Sequence, residues 1–130
     1  MNKMIPYGKQ FIDKDDIDNI GKTLKGNFLT TGPLVEKFEN KINSFLNSKY
    51  SIVCNSGTSA IHLACLAVDI KKDDIVIMPA INFISFFNIC NILGAKIKLA
   101  DVDPETGRMR PENVNDFIKK NNLKKIKAII

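Results

Sequence analysis

The sequence predicts an α/β fold, a parallel-stranded sheet flanked by helices. Short, nearly continuous apolar runs such as Ile75–Met78 and Ile97–Ala100 have the length and composition of strands buried on both faces. Between them lie stretches whose apolar residues recur every three or four positions, as on one face of a helix. The two kinds of segment alternate in the order α-α-β-α-β-α-β-α-β, and parallel strands need such crossover helices, expected to be right-handed.

Each element follows from local signals. Asp13 caps a helix running to about Lys25, with Ile17, Ile20 and Leu24 on one face and Gly26 ending it. A polar loop leads to Pro33, which suits the first turn of a second helix with Val35, Phe38, Ile42 and Phe45 on one face. These form an N-terminal helical segment, residues 13–46. Tyr50–Cys54 reads as a first strand. A helix from Ser59 to about Val68 follows, with Ile61, Ala64, Cys65 and Val68 on one face. Ile75–Met78 is a second strand, stopped by Pro79. A helix over Phe83–Leu93 is closed by Gly94. Ile97–Ala100 is a third strand, ended by Asp101-Val102-Asp103-Pro104. A helix from about Pro111 to Lys120 leads to a fourth strand at Ile126–Ile130. Nothing follows to connect or cover that strand, a pairing hazard. The sequence is therefore expected to be the N-terminal part of something longer.

Composition narrows the function classes. At 130 residues the chain is one domain or part of one. With 45% hydrophobic and 25% charged residues it reads as globular rather than disordered. No apolar run has membrane-spanning length, and Met1–Asp13 lacks the apolar stretch of a signal peptide. A cytoplasmic protein without membrane contact is expected. Cys54, Cys65 and Cys90 sit in apolar segments without C-x-x-C spacing and are expected as buried, reduced thiols. His62, the single histidine, has no partner at ligand spacing, so no metal site is expected. The net charge of +5 gathers at Lys119, Lys120, Lys124, Lys125 and Lys127. These read as a solvated helix end, since nucleic-acid binding would want interleaved aromatics or a motif.

The chemistry concentrates in one turn. A strand ending in Asn55-Ser56-Gly57-Thr58 and opening a helix leaves backbone N–H groups free at the helix N-terminus, a preformed anion site suited to phosphate. Gly57 permits close backbone approach, and Ser56 and Thr58 offer hydroxyls. Ligands of such sheets bind at the carboxyl ends of the strands. The 55–58, 79–83 and 101–104 loops all fall at that edge.

Four motifs in series resemble the DegT/DnrJ/EryC1/StrS aminotransferases: Leu29-Thr30-Thr31-Gly32-Pro33, Asn55-Ser56-Gly57-Thr58-Ser59-Ala60, Pro79-Ala80-Ile81-Asn82-Phe83 and Asp101-Val102-Asp103-Pro104. The resemblance runs from Ile5-Pro6 to Ile129-Ile130. It implies the N-terminal part of the large domain of a fold-type I, aspartate aminotransferase-like enzyme that uses pyridoxal 5'-phosphate (PLP). Residues 1–130 would be a partial PLP-binding large domain, with the rest of that domain and the small domain absent. By the same resemblance Gly57 and Thr58, with Ser56, hold the PLP phosphate, and Phe83 stacks on the pyridine ring. Thr30 and Thr31 match a loop near the active-site entrance, for substrate contact or for helix capping. Asn88 is expected to pack its helix, and Asp101 and Asp103 to shape a turn. One departure stands out: the family often reads Phe-x-Ala-Thr-x-Asn where this chain has Phe83-Ile84-Ser85-Phe86-Phe87-Asn88. Phe86 alters the pocket if it faces it and changes nothing if it faces the core.

The resemblance also implies what these residues lack. The family mechanism needs a Schiff-base lysine in a Ser-Phe-x-x-x-Lys stretch and an Asp beneath the pyridine nitrogen, both expected beyond Ile130. Ser44-Phe45-Leu46-Asn47-Ser48-Lys49 imitates the lysine motif but ends a helix before the first strand, the wrong part of the fold. No catalytic residue is therefore expected in this chain, which alone would be inactive. The whole protein would transfer an amino group, with glutamate as donor, to a nucleotide-linked keto-sugar in polysaccharide or modified-sugar synthesis. It would act as a homodimer and bind no nucleic acid. Alternatives are a PLP- or PMP-dependent sugar dehydratase of the same family, with His in place of the lysine, a non-catalytic phosphate-binding α/β module, and a degenerate remnant.

Overall fold

The computed structural model describes residues 5–6 and 8–130. Part of the Met1–Asp13 stretch therefore lies outside the described residues. Contacts divide the chain into two compact units, Met1–Val53 and Cys54–Ile130.

The first unit holds α1 (Lys14–Leu24) and α2 (Pro33–Leu46). Asp13 caps α1 reciprocally: its carboxylate accepts the Asp16 N–H at 3.0 Å, and the Asp16 carboxylate accepts the Asp13 N–H at 3.2 Å. Pro33 occupies the first turn of α2, where its missing N–H costs nothing, and Asn47 ends the helix in the left-handed region at φ 51°. Gly32 is needed for space, because a Cβ there would lie 2.7 Å from Phe28 Cβ. No described residue of this unit is buried. The apolar residues of α1 face solvent, with Ile17, Ile20 and Leu24 all at least 60% exposed.

The second unit comprises α3 (Gly57–Ala67), β1 (Ile75–Pro79), α4 (Ile84–Ile92), β2 (Lys96–Ala100), α5 (Pro111–Lys120) and β3 (Ile126–Ile129). The three strands form one parallel sheet in the order β2-β1-β3. β1 lies at its centre and alternates between two cores. Val76 and Met78 pack with Cys65, Ile70, Ile89 and Cys90 beneath α3 and α4. Ile77 points the other way, to Ala100 and Val114 beneath α5. A strand covered on both faces has no polar side, which is why its sequence is a continuous apolar run.

Two sequence expectations are corrected. Tyr50–Cys54 forms no strand. Apolar composition reports that a segment can be buried, but a strand also needs a neighbour for its ladder. The Val53 N–H instead donates to Glu39 Oε1 at 2.9 Å. Cys54, expected buried with that strand, is consequently exposed. Cys65 and Cys90 are buried, and burial, with Cys65 alongside, pushes the Cys90 thiol up to about 11.

Ile77 is fully buried and Ile92 is 71% exposed. Ile77→Ala should lower unfolding free energy by about 2–5 kcal/mol, against about 0.5 kcal/mol or less for Ile92→Ala. Denaturant titration of the two variants checks this.

Candidate functional site

The carboxyl edge of the sheet is built from the opposite edge. α3 returns to the start of β1 through residues 68–74, and α4 to the start of β2 through residues 93–95. The connections are tied together: the Asp73 N–H donates to the Gly94 carbonyl at 2.9 Å, and the Lys96 N–H to the Asp74 carbonyl at 2.8 Å. Gly94 sits at φ 77°, and a Cβ there would press on Lys72 at 3.2 Å. Both helices therefore run antiparallel to the strands, packed together on one face over a shared core. The 11-residue α3 and a five-residue strand each extend about 16 Å, and the nine-residue α4 opens five residues after β1 ends, so each helix begins near the strand ends. The N-termini of α3 and α4 lie side by side at the carboxyl edge.

At the first of them, Ser56 is the N-cap, its Oγ accepting the Ser59 N–H at 3.2 Å. The Ser59 hydroxyl donates to Asn55 Oδ1 at 2.7 Å and lies 3.1 Å from Ser56 Oγ. One hydroxyl carries one hydrogen, so Ser56 is the donor in the second contact. The Ser56 hydroxyl is thus engaged within the turn, rather than open to an anion as the sequence suggested. Gly57 and Thr58 occupy the first two helical positions, whose N–H groups have no intrahelical acceptor. An added Cβ on Gly57 would meet nothing within 4 Å. The space and donors at this turn fit a phosphate.

Phe83 caps α4, with its N–H donating to Asn82 Oδ1 at 2.7 Å. Its ring is 72% exposed at the end of β1, not packed into the core. With Met78, Ala80, Phe87 and Leu99 it lines a depression of about 260 Å³. Phe86, the departure from the family pattern, is half-buried against Cys65, Val76 and their neighbours. It faces the core, so the pocket is unaltered by it. Asn88, expected to pack its helix, is exposed.

A further signal is electrostatic. α1, α2 and α5 carry acidic residues in the first turn, where a carboxylate offsets the positive helix end. α3 and α4 carry none. Both N-termini at this edge keep their positive character for an external anion.

The third loop is structural. Asp101 Oδ1 accepts the Val102 N–H at 2.8 Å. Asp103 Oδ1 accepts both the N–H and the hydroxyl of Thr106 at 2.8 Å, and Arg110 lies 3.5 Å from its other oxygen. The Thr106 hydroxyl, then its N–H, hold the Asp103 carboxyl below its ordinary value.

In the other unit, Thr31 stands at φ 46°, strained for a β-branched residue. It lines a groove of about 540 Å³ with Asn19, Lys22, Phe28 and Leu34. The cap of α2 is Gly32, with no side-chain hydrogen bond, so neither Thr30 nor Thr31 caps that helix. Lys49 is exposed, with its ammonium 5.2 Å from the centre of the Tyr50 ring.

Comparison with known proteins identifies the family and the fold. A model of the DegT/DnrJ/EryC1/StrS aminotransferase family matches residues 10–130, and the chain belongs to that family. It is 40% identical over 99 residues, 76% of its length, to a UDP-4-amino-4,6-dideoxy-N-acetyl-beta-L-altrosamine transaminase of Campylobacter jejuni, of which those residues make up 26%. The chain spans about a quarter of the length of the curated relatives it matches. A Streptococcus pneumoniae structure described as a sugar aminotransferase in its PLP form superposes with a TM-score of 0.84 at 24% identity, covering 96% of this chain and 31% of that one. An E. coli GDP-4-keto-6-deoxy-D-mannose-3-dehydratase with bound hydrated PLP gives 0.79 at 24% identity, over 85% of this chain and 30% of that one. The fold is thus the expected α/β, aspartate aminotransferase-like one.

Two outcomes follow. Phe86→Ala should lower stability by about 1–3 kcal/mol, while Phe83→Ala should leave it within about 0.5 kcal/mol, as read by thermal or denaturant unfolding. The Asp103 carboxyl, depressed when folded, supports its loop above the ordinary value of 3.8 and loses that role as pH falls through the folded value. The protection of the Thr106 and Gly107 amides, their exchange relative to the unstructured rate at the same pH, should therefore fall below about pH 4.

Proposed function

We propose that the chain forms the phosphate cradle and ring-stacking face of a PLP-dependent sugar aminotransferase. Its substrate is a nucleotide-linked keto-sugar, and glutamate is the amino donor. The observation that carries this reading is the pairing of two uncompensated helix N-termini with an exposed aromatic face between them and the end of β1. The C. jejuni relative, named as a UDP-sugar transaminase, supports the substrate class. The PLP form of the S. pneumoniae structure supports the cofactor.

In this reading the Gly57 and Thr58 N–H groups bind the cofactor phosphate at the positive end of α3, and the Thr58 hydroxyl adds a third donor. Ser56 contributes through the turn it caps. Phe83 lays its ring against one face of the pyridine, fixing its plane and excluding water there. When bound, PLP supplies an electron sink for moving an amino group between an amino acid and a keto group. Thr31, held strained in a groove of about 540 Å³ in its own unit, is assigned with Thr30 to substrate contact. The amine required by the chemistry has no counterpart in these residues, so the chain by itself is inactive. The whole protein works as a cytoplasmic homodimer in polysaccharide or modified-sugar synthesis.

A second reading, a sugar dehydratase, is favoured by the likeness to the E. coli dehydratase. The residue at the Ser-Phe-x-x-x-(Lys or His) position separates the two, Lys for transfer and His for dehydration.

The test is spectroscopic. Intact protein mixed with PLP should develop an absorption band near the visible edge that shifts on adding glutamate. Thr58→Ala should weaken PLP binding about tenfold, the loss of one charge-assisted hydrogen bond. A protein with no band and no glutamate response would sink the reading.

A further inference from the structure

Ser59 is not among the residues assigned to the cradle, yet three of the turn's internal hydrogen bonds run through it. Its N–H donates to Ser56 Oγ at 3.2 Å, its hydroxyl donates to Asn55 Oδ1 at 2.7 Å, and its oxygen lies 3.1 Å from the Ser56 hydroxyl. It is half-buried, whereas residues 55–58 are exposed. A side chain so engaged and so placed is not available to touch a ligand. What it can do is decide which groups of the turn remain free.

Donor arithmetic shows how. The Ser59 hydrogen is committed to Asn55, so the Ser56 hydrogen is committed to Ser59, and the Ser56 oxygen already accepts from the Ser59 N–H. Asn55 is held by its oxygen, which leaves its Nδ2 hydrogens as donors. The turn therefore offers four donor groups: the Gly57 and Thr58 N–H groups, the Thr58 hydroxyl and Asn55 Nδ2. The acceptor oxygens that would repel an anion, Asn55 Oδ1 and Ser56 Oγ, each already accept a hydrogen from Ser59.

We infer that Ser59 is a positioning residue that sorts the donors and acceptors of the turn, making Asn55 a further phosphate-binding arm. The inference rests on the reading of this turn as the PLP phosphate cradle. Without the Ser59 hydroxyl, Asn55 Oδ1 loses its donor and the carboxamide is free to rotate its oxygen toward the anion. The Ser56 hydroxyl loses its acceptor at the same time. The cap from the Ser59 N–H to Ser56 Oγ survives, because it is a backbone donor, so the helix start is kept.

The experiment compares wild type, Ser59→Ala, Ser59→Thr and Asn55→Ala in the intact protein. Each is titrated with PLP and separately with pyridoxal, which has the ring but no phosphate, and its melting temperature is measured. Ser59→Ala and Asn55→Ala should each raise the PLP dissociation constant about five- to tenfold and leave that of pyridoxal unchanged. Ser59→Thr, which keeps the hydroxyl, should stay within about twofold of wild type. Unchanged PLP affinity in Ser59→Ala would overturn the inference and leave the cradle reading intact. Equal losses for PLP and pyridoxal, or a loss that Ser59→Thr shares, would also overturn it, by marking Ser59 as structural only. Wild type that binds neither compound would overturn the cradle reading and this inference with it.

Discussion

Two backbone hydrogen bonds at the amino edge of the sheet, from the Asp73 N–H to the Gly94 carbonyl and from the Lys96 N–H to the Asp74 carbonyl, join the connection entering β1 to the one entering β2. Parallel strands must all be entered from the same end, so every helix has to run back along the sheet. The clamp fixes where two of those return journeys finish. Once the carboxyl ends of α3 and α4 are held together and their inner faces share a core, their amino ends can only emerge together at the far edge. The arrangement of the turn at Ser56 and the ring at Phe83 is thus decided about 16 Å away from either. Gly94 is part of that decision, since at its positive φ, with an added Cβ 3.2 Å from Lys72, any side chain would be strained.

Most of this architecture was legible in the sequence because each signal had a local physical cause. Asp13, Gly26, Pro33 and Gly94 punctuate the helices through backbone chemistry that no distant contact overrides. The central strand β1 is apolar along its length because helices lie on both faces of the sheet, whereas β2 and β3 beside it carry Lys96, Lys98 and Lys127. The failure at Tyr50–Cys54 has the opposite character. Strand formation there depends on a partner elsewhere, which no local property of the segment can report. The burial of Cys54 depends on that strand, and without it the thiol is exposed.

The site shows the same division. That Asn55–Thr58 opens a helix, and that an opening helix draws anions, is local and was readable. Which hydroxyls face outward was not, because Ser56, Ser59 and Asn55 compete for one another's hydrogens, and only their distances decide the outcome. Phe83 and Phe86 illustrate the point further. Both are aromatic residues within one turn of the same helix, yet one is exposed at the strand end and the other is turned into the core. A signal that could have been used was the absence of acidic residues in the first turns of α3 and α4, when the three other helices among the described residues have them.

That absence connects the fold to its chemistry. A carboxylate in the first turn of a surface helix stabilises it by about 0.3–1 kcal/mol, so omitting one forgoes a small and easily obtained gain. Omitting it at two adjacent helices leaves two uncompensated positive ends at one edge, an arrangement less stable alone than with an anion present. Binding a dianionic phosphate there recovers what the missing carboxylates would have contributed. In the proposed reading Phe83 adds a contact that phosphate alone lacks. Selectivity for a phosphorylated planar molecule over phosphate would then come from the ring, and affinity from the helix ends. On that proposal the small helix-destabilising omissions and the exposed aromatic are two halves of one recognition device.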